Sequence, residues 1–505
     1  MKSTIINSFL SWYFKNRLPQ VEFSLLNPAE TQYNIFNDLI FKGSRTEFGR
    51  IHNFKNISTV EDFQKNVPLQ DYESLKPYIK RMLNGEQHLL WPSEITWFAK
   101  SSGTTSDKSK FIPVSFEALE DCQFKGGRDA LTFYCTKNTN TKVFQGKGLL
   151  IGGSHEINPL SENMYCGDLS AVIMNNLPFW VNLLSTPKPE IALMANWEEK
   201  LEKIAWATID EDVTSISGVP TWTLLLFKRL LEITGKKSML DVWPNLELYI
   251  HGGVNFAPYR EQFKNYIPSP NMHYIETYNA SEGFFGIQES PGSEGMLLMV
   301  DYGIFYEFIP MEEFESENPK TITLGEVEIG KNYAVVISTN AGLWRYKIGD
   351  TIKFTSVKPY RIHISGRVKH FINAFGEELI VDNSDHAIAE ASKQTNAKVT
   401  DYTAGPIYIE GNEKGGHEWI IEFDALPADI NLFTEILDKT LQSLNSDYEA
   451  KRHKDMALKL PVVHVAPKGT FYEWLKSKGK LGGQHKIPRL SNDRKYLEEI
   501  MKFVK

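Results

Sequence analysis

A chain of 505 residues is too long for one compact core, so two or more domains are expected. Hydrophobic residues make up 42% and charged residues 23%, and a net charge of −8 excludes any general attraction to nucleic acid or an anionic membrane. Three cysteines, Cys122, Cys135 and Cys166, with no CxxC spacing, exclude a disulfide framework and fit a reducing cytoplasm.

The first 21 residues set Ile5, Ile6, Phe9, Leu10, Trp12, Tyr13 and Phe14 among Lys2, Lys15 and Arg17. The apolar run is short and lacks a small-residue cleavage site, so it reads as an amphipathic helix docked on the body. No run of 18 apolar residues occurs, so no transmembrane helix is expected. Helices are predicted over 27–48, opened by Asn27-Pro28, and over 59–65, 72–84, 115–134 and 222–234. Buried strands are predicted over 147–152 and 246–251, each ending in Gly-Gly. Strand-like runs at 296–300, 304–309, 325–327 and 333–339 suggest an antiparallel or barrel section. After Arg361 the texture changes. A strand at 362–364 is broken by Ser365-Gly366-Arg367, and strands at 407–410, 418–423 and 462–465 then alternate with helices at 382–395 and 431–445. The expected fold class is α/β with α+β elements. A large N-terminal domain, 1–365, holds the sheets and the β-barrel section, and a small α/β domain follows at 366–505.

Five segments carry chemistry. Ser101-Ser102-Gly103-Thr104-Thr105-Ser106-Asp107-Lys108-Ser109-Lys110 follows a plausible strand at 95–99. Its small residues let backbone N–H groups curl around phosphate oxygens, and its hydroxyls and lysines add donors. It is no Walker A loop, because Gly-Lys-Ser/Thr is missing; a Ser/Thr-rich surface turn is the plain alternative. Tyr274-Ile275-Glu276-Thr277-Tyr278-Asn279-Ala280-Ser281-Glu282-Gly283 comes after His251-Gly252-Gly253-Val254. Tyr278 can stack on a purine, Ser281 or Thr277 can touch a phosphate, and Glu282 can hold Mg²⁺. The alternative is a buried strand ending in a solvated turn. Gly342-Leu343-Trp344-Arg345-Tyr346-Lys347-Ile348-Gly349-Asp350 ends in a carboxylate that can accept two ribose hydroxyls, or is a hairpin turn. The segment 365–378 reads as a strand pair with a turn and has no function by composition. Gly482-Gly483-Gln484-His485-Lys486-Ile487-Pro488-Arg489 sets a lysine on a Gly-rich loop, which can be delivered to a charged site or simply be solvated.

In order and spacing these segments resemble the adenylate-forming superfamily of acyl-CoA synthetases and luciferases. Within it the chain resembles the auxin-responsive promoter family, the acyl acid amido synthetases that conjugate plant hormones to amino acids. The likeness runs nearly end to end. It takes in Lys65-Asn66-Val67-Pro68, Trp243-Pro244-Asn245-Leu246, Phe285-Gly286-Ile287, Asp401-Tyr402-Thr403, Leu444-Asn445-Ser446 with Tyr448, and Lys468-Gly469-Thr470-Phe471. It departs at Ser106 and Asp107, where paired glycines are usual, and at Lys347, where Arg is usual.

The resemblance implies an ATP- and Mg²⁺-dependent ligase. A small carboxylic acid attacks the α-phosphate of ATP to give acyl-AMP and pyrophosphate, and an amine, expected to be an amino acid, then displaces AMP. Ser101, Ser102, Thr104, Thr105 and Lys110 are assigned to the phosphates by this likeness, with Ser281 beside them. Glu282 is assigned to Mg²⁺ and catalysis. Gly253, Val254 and Tyr278 frame adenine, Asp350 holds ribose, and Arg367 joins the nucleotide set. Lys486 reaches the α-phosphate from the C-terminal domain, with Lys369 at the superfamily's hinge position. Arg128 is the nearest counterpart of a basic residue that faces the acid. Coenzyme A as acceptor and a non-catalytic nucleotide-binding protein are the alternatives, and the intact Glu282, Asp350 and Lys486 weigh against the second. Neither a nucleic-acid partner nor an oligomeric state is implied.

Overall fold

The computed structural model describes every residue except 1, 103–108, 153–157, 162, 195, 255, 257–258, 291, 315, 368–370, 410–413, 479–486 and 505. Local signals start the early helices. Thr59 and Asp71 each close a capping box, which satisfies orphan N–H groups at the start of Val60–Asn66 and Tyr72–Leu83. The helix expected over 27–48 is two helices, Pro28–Gly43 and Glu47–Ile51. Thr46 caps the second by accepting from Gly49 N, and a Cβ on Gly49 would lie 2.0 Å from Gly43 O, so the turns meet backbone to backbone. The helix expected over 115–134 runs as Phe116–Ala118, a π-helical stretch Leu119–Phe124, and Lys125–Lys137.

One 12-stranded sheet spans the large N-terminal part. Ser185–Thr186, Lys147–Leu150, Val213–Ser217, Leu248–Gly252 and His273–Ala280 form its parallel half, in that order. The antiparallel half continues through Gly283–Ile287, Met296–Leu298, Tyr360–Arg367, Tyr346–Val357, Asn332–Thr339, Ile304–Pro310 and Ile322–Thr323. The strand expected at 325–327 is instead a 3-10 turn, Leu324–Glu326, because Thr323 and Glu326 close a capping box there. The strand around 362–364 does not end at Ser365, though the ladder shifts register there and leaves Ser365 as an extra residue. Gly366 takes φ +149°, a value open to glycine, and pairing continues to Arg367. A separate four-stranded sheet holds Ser109–Val114, Trp97–Ser102, Met164–Asp168 and Asn158–Ser161.

The smaller C-terminal part lays helices Val381–Thr395 and Ile430–Leu444 against a sheet of Lys398–Ile407, Gly416–Ala425 and Val462–Ala466. The strand expected at 407–410 thus ends where it was to begin. Three large clusters of buried side chains, with two smaller ones, form among the described residues. The first packs the N-terminal helices on the antiparallel half, with Phe36 at 5.0 Å from Phe305. There the Gln32 side chain donates to Val300 O and Ile304 O and accepts from Tyr306 N. The second lies over the parallel half around Phe227, Trp243 and Tyr249, and the third joins Phe375, Tyr402, Trp419 and Phe433. Among the described residues no helix is long and apolar enough to cross a membrane.

Candidate nucleotide and acid site

The parallel strands point their carboxyl ends the same way, and in open parallel sheets ligands bind beyond those ends. Three chain reversals meet there: Gly218-Val219-Pro220, Gly252-Gly253-Val254, and the tight turn Ser281-Glu282 between Ala280 and Gly283. Gly252 is needed because a Cβ would lie 2.5 Å from Thr277 O, and Gly253 because its φ is +80°. His251 is not a chemical group here. Burial lowers its pKa to about 3, and its ring stacks 4.0 Å from Phe256, so it forms a neutral wall.

Strand order brings the second and third motifs together. Tyr278 Oη donates to Asp350 Oδ2 at 2.6 Å, both groups buried. The Tyr278 ring lies 4.8 Å from Phe285, opposite Gly286 in the neighbouring strand. Gly349, with φ +90°, lies inside the strand Tyr346–Val357 just before Asp350, where the ladder shifts register, so the hairpin turn offered for this motif does not form. Asp350 in turn pairs across the ladder with Arg367, so the fourth motif joins the same edge. The first motif is a hairpin: Ser101 pairs with Lys110 and Ser102 with Ser109. Thr104 and Thr105 lie outside the described residues, as do Lys369 and Lys486. The chain just after Lys486 is anchored on the C-terminal sheet, where Thr403 Oγ1 donates to Pro488 O at 2.6 Å. Arg128, on Lys125–Lys137, donates to Glu120 O at 3.3 Å and keeps its Nε buried without an acceptor among the described residues.

The C-terminal part reaches the glycine turn directly. Asn373 Nδ2 donates to Gly253 O at 3.0 Å, and Tyr259 Oη donates to Ala374 O at 2.6 Å. Lys451 Nζ donates to Gly376 O at 2.9 Å. Beside this contact lies a set of charges that the sequence reading missed: Lys100, Asp168, Lys200, Asp447 and Lys451. Parallel pairing sets Lys100 level with Asp168, and Lys200, fully buried, donates to Gly152 O at 3.0 Å. Burial, helped by Asp447, pushes the Asp168 carboxyl up to about 7, and burial lowers the Lys200 ammonium to about 8. Asp447 is also raised by burial, against the pull of Lys451. No local pattern marks these residues, because each sits in an ordinary strand or helix and only the fold collects them.

Mg²⁺ takes one or two carboxylates and fills its shell from phosphates and water, so the single carboxylate of the Ser281-Glu282 turn is compatible with it. Among the described residues no three His, Cys, Asp or Glu side chains group as a protein-built metal cage.

Comparison with known proteins gives a consistent picture. The model of the GH3 family N-terminal domain matches residues 17–272, that of the GH3 family central domain 297–367, and that of the GH3 family C-terminal domain 382–495. The indole-3-acetic acid-amido synthetase GH3.3 of Arabidopsis thaliana is 24% identical over 91% of this chain and 88% of its own. The jasmonoyl–L-amino acid synthetase GH3.5 of Oryza sativa subsp. japonica is 25% identical over 93% and 94%. Among solved structures, the GH3.15 acyl acid amido synthetase shares the fold, with a TM-score of 0.61 over 97% of this chain and 96% of its own at 18% identity.

Proposed function

We propose, from the premise that this chain belongs to the GH3 family, that it joins a small carboxylic acid to the amine of an amino acid through an acyl-adenylate. The observation that carries the reading is the meeting of Tyr278, Asp350 and Arg367 beside the Gly253 turn, at the carboxyl ends of the parallel strands. A purine on the Tyr278 ring puts the ribose hydroxyls toward Asp350, with Gly253 and Val254 as the floor. Ser101, Ser102, Thr104, Thr105, Lys110 and Ser281 then serve the phosphates, and Glu282 serves Mg²⁺. Arg128, whose Nε has no acceptor among the described residues, meets the acid's carboxylate.

An acid oxygen attacks the α-phosphorus and pyrophosphate leaves; the amine nitrogen then attacks the acyl carbon and AMP leaves. Negative charge gathers on the α-phosphate in the first step, where Lys486 adds a cation. The strand paired in the large sheet runs through the boundary expected at 365/366, so the joint on which the C-terminal domain delivers Lys486 and withdraws it lies beyond Arg367. The cytoplasm, where ATP and free amino acids meet, is the compartment this chemistry fits. The relatives' names cover indole and jasmonate acids, which sets the range of acids to try. Pyrophosphate exchange, screened over aryl, indole and fatty acids, tests the first step; mass analysis of amide products over amino acids tests the second. ATP binding without exchange on any acid overturns the proposal.

A further inference from the structure

The strands Trp97–Ser102 and Met164–Asp168 run parallel, and residues level across them share a face. Trp97 stacks on Tyr165 at 5.0 Å in this way, and further along Lys100 stands level with Asp168. The next residue, Ser101, opens the hairpin assigned to the phosphates, so this pair borders the reacting end of the nucleotide. Lys451 closes the opposite side from the C-terminal part. Its Nζ donates to Gly376 O at 2.9 Å and to Asp447 O at 3.4 Å. A Cβ on Gly376 would lie 3.5 Å from Lys451 Cε and 4.0 Å from Val254 Cγ1, which sets Lys451 beside the turn that frames adenine. Lys200 forms the floor. It is fully buried and bonded to Gly152 O, and a Cβ on Gly152 would lie 3.5 Å from Ser170 Oγ, just past Asp168.

Two carboxylates face this cleft without a matching partner. Asp168 and Asp447 are half-buried, and among the described residues neither side chain accepts a hydrogen bond or closes a direct ion pair. Asp168 feels Lys100, Lys200 and Lys451 only at a distance, with Asp447 opposing them; Asp447 feels Lys451, Lys100, Glu377 and Glu378. A carboxylate taken partly out of water costs free energy until a cation or a donor meets it. The reactants decide which cation comes. ATP and the acid are anions, and Mg²⁺ is assigned to Glu282, whereas an amino acid brings a primary ammonium and a carboxylate together. Lys200 and Lys451 are already spent on backbone carbonyls, while Lys100 is exposed and open to that carboxylate.

Building on the ligase reading above, we propose that this cleft is the acceptor site, where Asp168 and Asp447 hold the ammonium, Lys100 holds the α-carboxylate, and Asp168 is the base. The ammonium passes one proton to Asp168 and its nitrogen attacks the acyl carbon. The bond from that carbon to the phosphate oxygen breaks, and the nitrogen's second proton leaves with the phosphate of AMP. Burial has already raised the Asp168 carboxyl to about 7, where a general base works best at neutral pH.

Acyl transfer from adenylate made in place, to amino acids or to hydroxylamine, tests this. Hydroxylamine is uncharged at neutral pH and has no carboxylate, so it needs neither Asp168 as base nor Lys100 as anchor. In Asp168→Asn the ratio of amide to hydroxamate should fall about 10²-fold or more, the usual contribution of a general base. The remaining amide rate should climb with pH in step with the free amine. Asp447→Asn should raise the Michaelis constant for the amino acid about tenfold with kcat nearly level, as for one lost bond to a charged group. Equal loss of both products in Asp168→Asn marks a structural role and overturns the assignment. So does an unchanged ratio with a shifted Mg²⁺ titration, which gives the carboxylates to a metal. A parent that forms hydroxamate but no amide with any amino acid overturns the acceptor site alone; one that forms neither overturns the ligase reading beneath it.

Discussion

Tyr278→Phe isolates the contact that joins the second and third motifs. The change keeps the ring and its 4.8 Å contact with Phe285, and removes only the hydroxyl that donates 2.6 Å into Asp350. A hydrogen bond to a charged group contributes about 1.5–3 kcal/mol. Asp350 is only 9% exposed, so little water can replace the lost donor. If all of that energy aims the carboxylate at the ribose, ATP binding weakens about 10- to 150-fold, since 1.4 kcal/mol is tenfold. Asp350 keeps further interactions, which puts the expected loss near the low end, about tenfold. Pyrophosphate exchange over a range of ATP, run in parallel with 2′-deoxy-ATP, measures it. The Michaelis constant for ATP should rise with kcat nearly unchanged, and the preference for ATP over the deoxy analogue should shrink. An unchanged preference alongside a lower unfolding temperature would refute the reasoning, because Tyr278 would then only brace the strand.

Lys486→Ala should slow pyrophosphate exchange by about 10²–10³-fold while calorimetric ATP affinity stays level, as expected for one transition-state cation. Glu282→Gln should move the Mg²⁺ titration of exchange to higher concentration; an unshifted curve removes that assignment. Asp168 has a folded-state pKa of about 7 against an ordinary value of 3.8, so its stabilising share is complete below the unfolded value and is lost as pH rises through 7. Asp168→Asn should therefore melt with the parent near pH 4 and above it at pH 8. The gain should be on the order of 2 kcal/mol after discounting for residual exposure, and a variant that melts lower at pH 8 contradicts the sign. Arg345 bonds Glu307 at 3.0 and 3.1 Å, and also Val67 O and Gln64 O, deep in the core. Arg345→Met should cost about 3–5 kcal/mol in urea unfolding, and adding Glu307→Leu should restore most of it.

What could be read from the sequence was local. Thr59 and Asp71 announce their helices because a cap and its partner lie three residues apart. The glycines at 252 and 253 announce a strand end because backbone crowding and a positive φ leave few other choices. The run Ile407-Tyr408-Ile409 misled, because a short apolar stretch carries no direction. Ile409 fills the C-terminal core while the strand itself ends at Ile407. The N-terminal helix docks on the body as expected, but periodicity did not show that Leu10 and Phe14 meet it while Ile5, Phe9 and Trp12 stay exposed. The site motifs were individually ambiguous for a deeper reason. Tyr278 and Asp350 lie 72 residues apart and meet only through strand order, and Lys100 meets Asp168 by the same means.

The bonds of Gln32 have a consequence for how the chain is made. Its amide oxygen accepts a hydrogen bond from Tyr306 N, 274 residues further on. At roughly 5–20 residues per second, a ribosome needs about 14–55 s to supply that partner. Through that interval Phe36 and Leu39 have no Phe305 or Tyr306 to cover them, though the parallel strands have already emerged. The first segment translated is thus among the last of the large part to be completed. A growing chain of this protein should engage holding chaperones early and let them go only once the antiparallel half has left the exit tunnel.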